Sequence, residues 1–128
     1  MQELVFIGKV EKGAGIATSL GCPTANVSIE QGGIIPGLGI YTGMTEFEGK
    51  NYPSLIVITD GRTGARLRLE VHLIDQHFDN LEGRTLEVHV YDKLRDSVPW
   101  ESDAKIQVMF AEDLRQARAW FAEHPDKQ

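Results

Sequence analysis

The chain has 128 residues, of which 41% are hydrophobic and 25% charged, and its formal net charge at pH 7 is -6. This length suits one domain with its own core, and no apolar run reaches the roughly 18 to 20 residues that span a bilayer. The acidic balance argues against a nucleic-acid partner, because nucleic-acid binding normally requires a basic face. The single cysteine, Cys22, permits no internal disulfide, which suits a reducing cytoplasm.

Short strands separated by turns are predicted for the first half of the chain. Glu3–Glu11 is an apolar run that leads into a glycine-containing segment, and Thr24–Ile29 is a second short strand. Gly39–Phe47 and Tyr52–Thr59 flank a turn-forming sequence, so the pattern predicts a hairpin.

Two segments of the second half alternate apolar and polar residues. In Arg66–Ile74 and in Thr85–Tyr91, every second residue is apolar, which is typical of a strand with one buried face. The connection between them, Asp75–Gly83, is short enough to predict antiparallel neighbours. Glu70 and His72 are assigned to the polar, solvated face of the first of these strands.

A helix is predicted after Trp100, with Ser102 as its N-cap and Pro125 ending it. Its apolar positions recur at helical spacing and are Ile106, Phe110, Leu114, Ala117 and Phe121. Asp113 and Arg115 are assigned to its solvated face. Six short strands followed by one helix predict a barrel or a sandwich on which the helix packs.

The segment Gly21–Asn26 contains the first candidate site. Pro23 fixes its own backbone, and the side chains of Thr24 and Asn26 point the same way if the segment is extended. They then present two oxygen ligands suited to Mg²⁺ or to a phosphate. Gly13 and Gly15, a few residues earlier, would let backbone N–H groups approach phosphate oxygens. The alternative interpretation is a turn followed by an ordinary strand.

Further side chains can carry chemistry. Glu70 on a rigid strand can act as a general base. If the two alternating strands are neighbours, Glu70, His72, Glu87 and His89 can instead form a Zn, Mn or Fe site on one surface. Trp100 offers a flat wall to a ring ligand, or alternatively fastens its loop to the core.

Taken in order, these motifs resemble those of the riboflavin kinase family. They are the glycine segment, Leu20–Asn26, Leu69–Asp75, Leu81–Gly83, and Leu94-Arg95 with Trp100. The resemblance implies that residues 1–128 form a six-stranded closed Greek-key β-barrel with a C-terminal α-helix. It also implies transfer of the ATP γ-phosphate to the ribityl 5′-hydroxyl of riboflavin, which yields ADP and FMN in flavin biosynthesis.

The resemblance further implies site residues by position. Glu70 matches the catalytic base, and Thr24 with Asn26 matches the contacts to Mg²⁺. The nucleotide and phosphate contacts are Lys12, Gly13, Gly15, Pro23, Thr24 and Asn26. The flavin contacts are Leu94, Arg95 and Trp100. After Gly15 the family usually has Arg-Gly, whereas this chain has Ile16-Ala17, so Mg²⁺ is expected to be the main neutraliser of phosphate charge.

Two alternative functions stay open from the sequence. One is a riboflavin kinase-like module that binds flavin or nucleotide without turnover, and the other is the metal-dependent barrel enzyme described above. We expect a cytoplasmic monomer with ATP and riboflavin as partners, and neither nucleic acid nor membrane. The kinase assignment also leads us to expect no FAD synthesis by this chain.

Overall fold

The structure is a computed structural model that describes residues 4–11, 25–32, 37–59, 68–76, 81–98 and 101–127. Within these residues lie six strands, one long helix and a final 3₁₀ turn. They are β1 (Leu4–Val10), β2 (Ala25–Gly32), β3 (Gly39–Phe47), β4 (Lys50–Thr59), β5 (Arg68–Leu73), β6 (Thr85–Arg95), α1 (Asp103–Glu123) and the turn Pro125–Lys127. The predicted order of strands and terminal helix is confirmed.

The six strands close into an antiparallel barrel in the order β1-β2-β5-β4-β3-β6. β3, β4 and β5 follow one another, and β6 returns to lie beside β3, which is the Greek-key arrangement. The prediction that β5 and β6 are neighbours is wrong. Barrel closure places β5 between β2 and β4, and it places β6 between β1 and β3.

The alternating sequence pattern explains what fills the barrel. Leu69, Val71 and Leu73 of β5 point inward, and every second residue of β6 from Leu86 to Val90 does the same. The inward-facing cluster also contains Phe6, Val10, Val27, Tyr41, Phe47, Ile56 and Ile58. Period-2 alternation therefore assigns the lumen face correctly.

The β3–β4 hairpin is tighter than predicted. Glu48 and Gly49 form the turn with φ of 52° and 76°, and positive φ at both central positions is the geometry that suits the twist of a two-residue hairpin. Consequently β4 begins at Lys50 rather than at Tyr52. β6 is also longer than predicted, because its polar end continues to pair with β3 as far as Arg95.

Helix α1 begins as predicted, since the Ser102 hydroxyl accepts a hydrogen bond from the Lys105 amide at 3.1 Å. It ends at Glu123, before Pro125. The Trp120 indole N–H donates to Asp92 of β6 at 2.7 Å. In the described part of the chain, no helix is long and apolar enough to cross a bilayer.

A second apolar cluster fills the space between α1 and the outside of the barrel. Its buried members are Ile40, Met44, Leu55, Ile74, Phe110, Ala117 and Phe121. Phe110 and Phe121 are each 5% exposed, and burying one such side chain contributes about 1.5–3 kcal/mol. The helix thus covers one sector of the outer wall, and the polar residues of that sector lie under or beside it.

Candidate active site

One row of paired residues crosses five strands on the outer wall of the barrel. Asn26 of β2 pairs with Glu70 of β5, and Glu70 pairs with Val57 of β4. Val57 pairs with Ile40 of β3, and Ile40 pairs with Arg95 of β6. We call these five residues the outer row. Neighbouring strands lie about 4.8 Å apart, so Asn26 and Arg95 are separated by about 19 Å along the curved wall.

Asn26 and Glu70 bring an amide and a carboxylate together at one end of the outer row. The Asn26 Oδ1 atom is buried and has no hydrogen-bond partner in the described part of the protein. Leaving a buried carbonyl oxygen unsatisfied costs about 1–3 kcal/mol. An amide oxygen and a carboxylate are hard oxygen donors of the kind that Mg²⁺ binds. The Asn26 amide oxygen therefore fits a divalent cation, and the Glu70 carboxylate lies on the neighbouring strand beside it.

The chain segment predicted to hold phosphates, residues 12–24, is flanked by Glu11 and by the start of β2 next to Asn26. The Glu11 amide donates a hydrogen bond of 2.8 Å to the Asn26 carbonyl, which joins the end of β1 to the start of β2. Five predicted nucleotide contacts lie between these ends and outside the described residues: Lys12, Gly13, Gly15, Pro23 and Thr24. Their assignment stays a prediction. Asn26 is the predicted nucleotide contact that lies within the described residues.

Glu70 and His72 are not solvated, contrary to the assignment made from alternation. Glu70 is 8% exposed and His72 is 9% exposed. The ring of Phe110 on α1 meets the His72 ring edge-on, with 5.2 Å between centroids. Alternation identifies the outward face of a strand, but it does not reveal that a helix packs beside that face. Glu70, at 8% exposure, lies in a sheltered environment, where charge–charge interactions are stronger than in water.

Arg95, at the opposite end of the outer row, is bound to the helix. Its guanidinium donates two hydrogen bonds to the Asp113 carboxylate, from Nε at 2.7 Å and from Nη2 at 2.8 Å. The Asp113 side chain is 3% exposed, whereas that of Arg95 is 28% exposed. Arg95 Nη1 also donates to the Asp96 carbonyl at 3.0 Å. The pair joins the end of β6 to the middle of α1 and orients the start of the connection between them.

Asp113 is the residue that the sequence interpretation missed. The sequence pattern assigns it to the solvated helix face, whereas the structure buries it with Phe110, Ala117 and Phe121 on the face that meets the barrel. The sequence does contain a signal, because Phe110, Asp113 and Ala117 fall on one helix face at i, i+3 and i+7. A carboxylate on an otherwise apolar helix face indicates that it is buried against a cationic side chain. Arg115 is on the solvated face as predicted, since its side chain is 70% exposed.

The other predicted flavin contacts lie near Arg95 in sequence. Leu94 is half-buried and packs against the apolar cluster between α1 and the barrel. Trp100 lies outside the described residues. The structure places Leu94 and Arg95 beside the helix, three strands from Glu70, and their contact with flavin stays a prediction.

The four-residue metal site built from Glu70, His72, Glu87 and His89 is wrong. β5 and β6 are separated in both directions around the barrel, by β4 and β3 on one side and by β2 and β1 on the other. The two Glu-Val-His motifs therefore do not share a surface. Glu87 and His89 instead lie beside Glu46 of β3.

These features define a closed-barrel protein whose polar site lies on the outer wall beside a packed helix, rather than in the lumen. The riboflavin kinase family model matches residues 1–121 of the chain. A bifunctional riboflavin kinase/FMN adenylyltransferase from Pseudomonas fluorescens is 33% identical over 115 residues, which make up 88% of this chain and 36% of that protein. The chain belongs to the riboflavin kinase family.

Two solved structures share the fold. Riboflavin kinase from Trypanosoma brucei superposes with a TM-score of 0.64 at 20% identity, covering 100% of this chain and 85% of that one. A chain described as a macrolide-efflux protein from Streptococcus pneumoniae superposes with a TM-score of 0.80 at 24% identity, covering 91% of this chain and 38% of that one. At these identities the likenesses establish the fold alone. The predicted six-stranded closed barrel with a C-terminal helix is thereby confirmed.

Proposed function

We propose that this chain transfers the γ-phosphate of ATP to the ribityl 5′-hydroxyl of riboflavin, producing FMN and ADP. Membership of the riboflavin kinase family supports the activity. The chain spans about a third of the length of the bifunctional relatives that it matches, so the proposal concerns the kinase reaction alone. Residues 1–128 act in it as one kinase domain.

The observation that carries the proposal is the unsatisfied Asn26 Oδ1 beside the buried carboxylate of Glu70. A buried carbonyl oxygen without a donor is explained if a cation completes its coordination. Asn26 and Thr24 are the residues proposed to hold Mg²⁺. When bound there, Mg²⁺ would neutralise charge on the ATP phosphates.

The chemistry required of the protein is positioning and the movement of one proton. The riboflavin 5′-oxygen forms a bond to the γ-phosphorus while the bond from that phosphorus to the β–γ bridging oxygen breaks. The Glu70 carboxylate accepts the hydroxyl proton, and ADP leaves with the bridging oxygen. A base fixed on a strand of a closed barrel holds its position without reorganising, which favours this transfer.

ATP and riboflavin are proposed to bind at opposite ends of the outer row, with Glu70 between them. The nucleotide lies at the Asn26 end, beside the segment that carries Lys12, Gly13, Gly15, Pro23 and Thr24. Riboflavin lies toward the Arg95 end, where Leu94, Arg95 and Trp100 are its proposed contacts. Glu70 is one strand from Asn26 and three strands from Arg95, which matches a compact phosphate group on one side and a long tricyclic substrate on the other.

The cellular setting follows from composition. We place the protein in the cytoplasm, because Cys22 is the chain's single cysteine and thiols stay reduced there. It acts as a monomer on small molecules, and its net charge of -6 disfavours nucleic acid as a partner.

The direct test is product formation from MgATP and riboflavin. ADP and FMN are expected to appear in equal amounts, and ADP release is expected to require riboflavin. Fluorescence titration should also show riboflavin or FMN binding at micromolar affinity or better, equivalent to about -8 kcal/mol. Flavin binding without ADP release would replace the kinase by a binding module, and the absence of flavin binding would refute the flavin assignment.

Nucleotide binding is expected to depend on Mg²⁺ and on the Asn26 amide. EDTA should abolish ATP binding measured by calorimetry, and Asn26→Ala should weaken it tenfold or more, equivalent to about 1.4 kcal/mol. The melting temperature of this variant should change little, because Oδ1 makes no hydrogen bond within the described structure. Asn51→Ala, which removes an exposed amide on β4, is the matched control. Equal affinity with and without the metal would contradict the proposed cation site.

A further inference from the structure

The Glu87-Val88-His89 motif of β6 takes no part in the proposed phosphoryl transfer, yet it forms a compact cluster with a third residue. Glu87 lies directly opposite Glu46 of β3, and His89 lies two residues further along β6 on the same face. The ligand atoms of the three side chains all lie within 4.8 Å of one another. We call Glu46, Glu87 and His89 the β3–β6 cluster.

Two glutamates face each other across adjacent strands, and an imidazole lies beside them on the same face. His89 Nε2 lies 2.8 Å from Glu87 Oε2. An imidazole nitrogen and two carboxylate groups therefore converge on one position of the outer wall.

We propose that Glu46, Glu87 and His89 bind a divalent transition-metal ion of the zinc type. One imidazole nitrogen and two carboxylate oxygens are donors that Zn²⁺ accepts in tetrahedral sites with one remaining open position. The imidazole favours Zn²⁺, Co²⁺ or Ni²⁺ over Mg²⁺, which prefers oxygen ligands. Ligand atoms around tetrahedral zinc lie about 3.4 Å apart, so modest side-chain rotations complete the geometry.

The site is accessible and built on rigid elements. The His89 and Glu87 side chains are 25% and 37% exposed, so an ion reaches them without any opening of the barrel. β3 and β6 pair along most of their length, which fixes the spacing of the three side chains before the ion arrives. Since β3 and β6 are neighbours in the barrel wall, a bound ion would connect them through side chains.

This site is separate from the proposed kinase site. Arg95 lies on the same strand as Glu87 but about 26 Å further along it. Glu70 and Asn26 lie on β5 and β2, neither of which pairs with β6. The inference therefore does not rest on the proposed function, and either can fail alone.

The test is titration of the full chain with Zn²⁺ by calorimetry and with Co²⁺ by visible spectroscopy. We expect saturable one-to-one binding in the micromolar range, a tetrahedral Co²⁺ spectrum, and a melting temperature that rises by several degrees at saturating Zn²⁺. His89→Gln and Glu87→Gln should each weaken binding at least tenfold. Glu82→Gln and His124→Gln, which alter residues outside the β3–β6 cluster, should leave affinity unchanged.

Three results would overturn the proposal. They are no saturable binding, equal binding by His89→Gln and wild type, and displacement of Zn²⁺ by a tenfold excess of Mg²⁺. If a variant folds poorly, the wild-type protein still decides the question through NMR: Zn²⁺ must shift the imidazole resonances of His89 more than those of the other histidines.

Discussion

Glu70→Gln is expected to lower kcat by about 10²- to 10⁴-fold, or roughly 3–5 kcal/mol of barrier, because the amide cannot accept the proton of the ribityl hydroxyl. KM values for ATP and riboflavin should change much less.

Stability must be measured beside activity, because Glu70 is buried. Glutamine conserves the volume of glutamate, so we expect the melting temperature to stay within a few degrees of wild type. Glu123→Gln, at the exposed end of α1, is the control and should retain full activity. Glu70→Gln protein that is folded and fully active would exclude Glu70 as the base.

Arg95→Met is expected to reduce the free energy of unfolding by about 3–5 kcal/mol, the usual cost of leaving a buried charge without its partner. The Asp113 side chain is 3% exposed and loses both hydrogen bonds from the guanidinium. Asp113→Asn should cost less, about 1–2 kcal/mol, since the Arg95 side chain is 28% exposed and can reach water. Urea denaturation of both variants measures the difference.

The double variant Arg95→Met/Asp113→Leu supplies the control for this pair. Replacing both partners removes the unpaired charge, so its stability should recover toward wild type. Arg115→Met, which removes an exposed arginine from the same helix, should change stability by less than about 0.5 kcal/mol. Equal losses in Arg95→Met and Asp113→Asn would contradict the asymmetry inferred from burial.

Local patterns predicted the elements of this fold well, because each reflects a short-range rule. Alternation in β5 and β6 follows from a strand with one face in the lumen. Ser102 caps the helix by accepting a hydrogen bond from the amide three residues later in the chain. Strand pairing is a long-range property. The expectation that β5 and β6 are neighbours failed because proximity in sequence does not determine which strands meet when a Greek-key barrel closes.

The candidate site was predictable in its residue types but not in its arrangement. Asn26 and Glu70 were identified separately, and their direct opposition depends on the register between β2 and β5. Asp113 was missed because a carboxylate is usually solvated on a helix surface, and its partner Arg95 lies on a different element. Closure of the barrel came from the family resemblance rather than from any periodicity in the chain.

The strand pairings that close the barrel differ in length, and the shortest described pairing lies at the proposed nucleotide site. In the described residues, β2 and β5 are joined by three register pairs, Ala25–Val71, Asn26–Glu70 and Val27–Leu69, whereas β3 and β4 pair along their whole length. The proposed cation and phosphates would sit over the middle pair of this short seam. A nucleotide bound there, as proposed, would connect β2 to β5, so that part of its binding free energy would stabilise closure of the barrel.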